Sequence, residues 1–113
     1  MSNNPSTVPI GNVRNNWVLA PTLTPVSVAN STSAEQTFSM SAVQLGDYVY
    51  VNKPSFQAGL SIVNSRVSAK DVIAITYLNT TAATITPASE TYCVHICRAE
   101  NVANRYSPLV VPS

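Results

Sequence analysis

Hydrophobic residues between Val26 and Arg98 recur with a period of two, in short runs separated by turn residues at roughly ten-residue spacing. This pattern constrains the fold more than any other feature. A period of two lines one face of a strand, whereas a helix needs apolar residues three and four apart. Val26 and Val28 alternate with Ser27 and Ala29, and Gln36, Phe38 and Met40 share a face. Gly46-Asp47 opens the dense run Tyr48-Val49-Tyr50-Val51, which Lys53-Pro54-Ser55 breaks. In residues 60–67, Leu60, Ile62 and Asn64 oppose Ser61, Val63 and Ser65. In residues 71–79, Ile73, Ile75 and Tyr77 oppose Val72, Ala74, Thr76 and Leu78. In residues 91–98, Tyr92, Val94 and Ile96 oppose Cys93, His95 and Cys97. No window carries a helical apolar stripe. The pattern predicts an all-β domain over residues 26–98, a compact β-sandwich or jelly-roll-like barrel of six short strands.

The two ends read differently. Residues 1–25 carry Pro5, Pro9, Pro21 and Pro25 among many asparagines, which excludes a long helix and predicts an extended N-terminal arm. Trp17, Val18 and Leu19 are its one apolar cluster and its expected docking point. Residues 99–113 place Pro108 and Pro112 around Leu109, Val110 and Val111, predicting an extended C-terminal tail. The 113 residues suffice for one core.

Only 10% of the residues are charged, against roughly a quarter in average proteins. The net charge is +1, and Arg14, Lys53, Arg66, Lys70, Arg98 and Arg105 are scattered. Phosphate backbones and anionic membranes are held by basic clusters, so neither nucleic acid nor membrane is an expected partner. No apolar run approaches the roughly 20 residues of a membrane-spanning helix. Residues 1–16 lack the apolar stretch of a secretory signal, so synthesis in a cytoplasm is expected.

Cys93-Val94-His95-Ile96-Cys97 is the strongest chemical candidate. On a strand, positions i and i+4 lie about 13 Å apart, too far for a disulfide or for one zinc to gather all three side chains. The expectation is two free thiols on a buried strand face. The acids Glu35, Asp47, Asp71, Glu90 and Glu100 show no catalytic spacing, and Gly11, Gly46 and Gly59 form no phosphate-binding loop. No enzymatic activity, cofactor or metal is expected. Two-faced apolar strands around Tyr48, Tyr50 and Tyr77 predict an interface between copies of the chain.

Three stretches carry a resemblance: Leu45-Gly46-Asp47-Tyr48-Val49-Tyr50-Val51-Asn52-Lys53-Pro54, then Ala58-Gly59-Leu60-Ser61-Ile62 running to Arg66-Val67-Ser68-Ala69, then Ile73-Ala74-Ile75-Thr76-Tyr77-Leu78-Asn79-Thr80-Thr81-Ala82. In order and spacing they resemble the capsid decoration, cement or head-fibre proteins of tailed bacteriophages, over about residues 20–98. The resemblance implies a structural virion protein on the capsid surface, made in the bacterial host cytoplasm. It also implies a homotrimer whose partner is the major capsid protein. Trp17, Val18 and Leu19 are then the expected capsid contact. The alternative is a receptor- or glycan-binding module of a phage tail fibre that uses exposed tyrosines.

Overall fold

A computed structural model describes residues 13–99 of the chain. They form an all-β, sandwich-like domain with eight pairing segments: β1 (Val13–Leu19), β2 (Thr22–Leu23), β3 (Thr32–Ser39), β4 (Tyr48–Asn52), β5 (Leu60–Ala69), β6 (Val72–Asn79), β7 (Glu90–Thr91) and β8 (Cys93–Ala99). One antiparallel sheet has the order β1-β8-β4 and the other β3-β6-β5. The short β2–β7 ladder extends the first sheet: Tyr92 N–H donates to Pro21 O at 2.8 Å between the two ladders.

The core forms where the inner faces meet. Val49, Val94 and Ile96 come from the first sheet, and Val67, Ile73, Ile75 and Tyr77 from the second. Val28, Val43 and Tyr92 close its ends, each fully buried. Fully burying one such aliphatic side chain stabilises by about 1.5–3 kcal/mol, so this seam holds the domain. Tyr77 and Tyr92 bring two hydroxyls into it, and they satisfy each other at 2.9 Å. Burial, reinforced for Tyr77 by that bond, raises the pKa of both phenols. Asn79 is the buried amide: its Nδ2 donates to Val28 O and Ala83 O, and its Oδ1 accepts from Thr81 N and Oγ1.

Two expectations change in this frame. Val13–Leu19 and Thr22–Leu23 of the expected arm are strands of the domain, because Trp17 and Leu19 alternate with Asn16 and Val18 and so can line a core. Residues 1–12, and residues 100–113 of the expected tail, lie outside the described residues. The alternation in β5 also fails halfway. The register shifts between Ile62 and Asn64, so one extra residue, Val63, moves the side chains from Asn64 to Val67 to the opposite face, before a second shift between Val67 and Ala69. Ser65 and Val67 therefore face inward, Ser65 Oγ donating to Val49 O in the opposite sheet at 2.8 Å.

Loops brace both ends. Asp47 is held by Arg98, whose Nε and Nη2 donate to Oδ1 and Oδ2 at 2.9 and 2.8 Å, while Nη2 also reaches Ala42 O. The Arg98 guanidinium stands 5.1 Å over the Trp17 ring, within cation–π range. Burial alone would raise the Asp47 pKa. The Arg98 hydrogen bonds, the Gln44 N–H and the Arg98 charge outweigh it and hold the carboxyl below its ordinary range. At the other end, Gln57 imitates a peptide: its Nε2 donates to Thr86 O and its Oε1 accepts from Ala88 N. Gly59 sits at φ +80° against Thr81, where a side chain would overlap the threonine methyl.

A candidate interaction face

The strand register fixes what the outer face of the β1-β8-β4 sheet displays. Asn16, Cys97 and Tyr48 are opposite one another; so are Val18, His95 and Tyr50; and Asn52 lies opposite Cys93. Each of these alternates with an inward neighbour: Trp17, Val49, Val51, Val94 or Ile96. Val18 is 61% exposed, Tyr48 49% and Tyr50 65%. The Tyr50 and His95 rings lie nearly parallel, centroids 6.0 Å apart and 24° between planes. Among the described side chains of this face there is no Lys, Arg, Asp or Glu.

The predicted site residues divide between inside and outside. Trp17 and Leu19 are partly buried and packed against the core, and only Val18 points out. The expected docking triplet is therefore no single patch, because adjacent residues of a strand cannot share a face. Tyr48 and Tyr50 lie on the exposed face. Tyr77 does not: it is fully buried between the sheets and bonded to Tyr92, so it cannot meet another copy. Cys93 and Cys97 are free thiols, as the spacing required. Their face, however, is the outer one: Cys93 is exposed and Cys97 half-buried, because Tyr92, Val94 and Ile96 take the inside. No cluster of three metal-ligating side chains occurs among the described residues.

Sequence reading missed Phe56, the most exposed large hydrophobic residue among the described residues at 87%. Its loop is tied down on both sides. Lys53 Nζ donates to Ser55 O at 3.0 Å and pairs with Glu90 at 2.9 Å, and Ser55 Oγ donates to the same carboxylate at 2.8 Å. The Lys53 hydrogen bond, helped by that from Ser55, holds the Glu90 pKa below its ordinary range. Gln57 anchors the far side. A lone phenylalanine in a Pro-Ser-Phe-Gln turn carries no periodic signal, and the side chains that brace it come from distant segments.

No family model, curated protein or solved structure matches this chain.

Proposed function

We propose that the chain is a non-catalytic structural protein of a tailed-bacteriophage virion that binds the outer surface of the capsid and decorates or stabilises the coat lattice. The major capsid protein is its partner, and the working form is a homo-oligomer, a trimer by the resemblance in residues 45–82. The observation that carries the reading is the uncharged aromatic face around Tyr50. An uncharged face with exposed aromatic and aliphatic side chains on a small domain suits a contact site, and proteins built to form surfaces need contacts rather than chemistry. With Trp17 and Leu19 turned inward, the coat contact falls to the exposed apolar loop residues, above all Phe56. Its braced loop loses little freedom on docking, which favours binding.

A second reading, a glycan-binding module of a tail fibre, is favoured by one observation, the exposure of Tyr48 and Tyr50 on one sheet face. Quantifying the chain in purified virions separates the two. A copy number that scales with the coat lattice fits capsid decoration. A copy number matching a few fibres favours the second reading, and absence from virions rejects both.

A further inference from the structure

We infer that the outer face of the β1-β8-β4 sheet packs against the same face of neighbouring copies, around the symmetry axis of the assembly. The inference rests on the oligomeric part of the proposed function and is independent of the capsid.

Charge is the first argument. A face with a net charge repels its own copy and selects a partner of opposite sign. The described side chains here are either apolar, such as Val18, or able both to donate and to accept hydrogen bonds, such as Tyr50 and the asparagine amides. Such a surface carries no charge that would repel its own copy, and residues beside a symmetry axis of any order meet their own copies. The second argument is position. β8 is the central strand, so symmetry brings its outward residues Cys93, His95 and Cys97 closest to their own copies. The outer face of the other sheet supplies the contrast: the Glu35–Arg66 ion pair and the hydroxyls of β3 flank its central apolar residues Val72, Ala74 and Leu78, none of which is fully exposed.

The test uses the full chain. Light scattering coupled to gel filtration at micromolar concentration should report an oligomer for the wild type. Tyr50→Lys places one ammonium per copy near the axis and should reduce the mass to a single chain. Tyr50 is largely exposed, so the β circular-dichroism spectrum should be retained. Val18→Lys repeats the test from another strand. Thr37→Lys, on the polar outer face, should leave the oligomer intact. A short bis-maleimide should join wild-type copies through Cys93 or Cys97 and fail to join Tyr50→Lys. A wild-type oligomer that survives both lysine substitutions overturns this inference alone. A wild-type monomer overturns it together with the oligomeric part of the proposed function.

Discussion

On the outer face of the β3-β6-β5 sheet stand Ser33, Glu35, Thr37 and Ser39, with Thr76 and Arg66 beside them. Glu35 and Arg66 form a paired fork across the central strand at 2.9 Å per bond, and the Arg66 hydrogen bond holds the glutamate pKa below its usual range. On the outer face of the β1-β8-β4 sheet stand Val18, Tyr50, His95 and two thiols. Both sheets alternate with the same period, are three strands wide in their main ladders and bury the same kind of aliphatic residue. The β3-β6-β5 sheet flanks its central apolar residues Val72, Ala74 and Leu78 with charges and hydroxyls, while the β1-β8-β4 sheet leaves Val18, Tyr48 and Tyr50 largely exposed. The difference shows that the inner pattern of a sandwich sets the fold, while the outer pattern carries what the domain does.

The comparison implies that stability resides in the shared seam and association on one outer face. Substitutions should therefore separate the two. The largest effect is expected at Ile75, fully buried on the central strand β6. Ile75→Ala should cost about 3–4 kcal/mol, read as a lower midpoint in urea. A loss below about 1 kcal/mol would mean that the seam is loosely packed.

Next comes Arg98, which ties β8 to the loop carrying Asp47, a side chain only 3% exposed. Arg98→Ala should cost about 2–3 kcal/mol, because it leaves a mostly buried carboxylate without its partner. The same pair predicts a pH dependence. The folded pKa of Asp47 is depressed, so its contribution is fully present above the unfolded carboxylate range. It is lost as pH falls below about 4 and through the folded value. Wild-type stability should fall on acidification, and the fall should be shallower in Arg98→Ala. Parallel acid profiles would remove Asp47 from the account.

A smaller effect, about 1–2 kcal/mol, is expected for Tyr77→Phe, which strands the Tyr92 hydroxyl in the core. Thermal unfolding would show it, and Tyr77→Phe with Tyr92→Phe should recover part of the loss. The smallest change in stability belongs to the outer faces. Tyr50→Ser and Thr37→Ala should each move the stability of the single chain by less than about 0.5 kcal/mol, yet only Tyr50→Ser should weaken association. If Thr37→Ala weakens association equally, the two faces are not functionally different.

Alternation made β4, β6 and β8 legible in the sequence, including which residues of each share a face though not which face is inward, because period two follows directly from the pleat. It misled where geometry departs from a regular strand. The bulge at Val63 leaves no mark in hydrophobicity. Trp17 reads as part of an arm because prolines and asparagines surround it, although its alternation with Asn16 and Val18 already marks a strand. Tyr77 and Tyr50 look equivalent in sequence; only the sheet pairing places one in the core and the other outside. Cysteine's usual burial points to an inward cysteine face, whereas here Tyr92, Val94 and Ile96 outweigh it. The Phe56 loop depends on Glu90 and Thr86, more than twenty residues away, and no local pattern announces such a contact.

Thiol labelling of the native protein across a dilution series tests most directly whether the β8 outer face is the one that meets other copies. Cys93 and Cys97 lie on that face and need no unfolding to be reached. In the wild type, their reaction with a maleimide should slow as protein concentration rises and copies cover the face. In Tyr50→Lys they should react at one fast rate throughout. Equal, concentration-independent rates in both proteins would contradict the account, as would thiols in Tyr50→Lys that react only after denaturation.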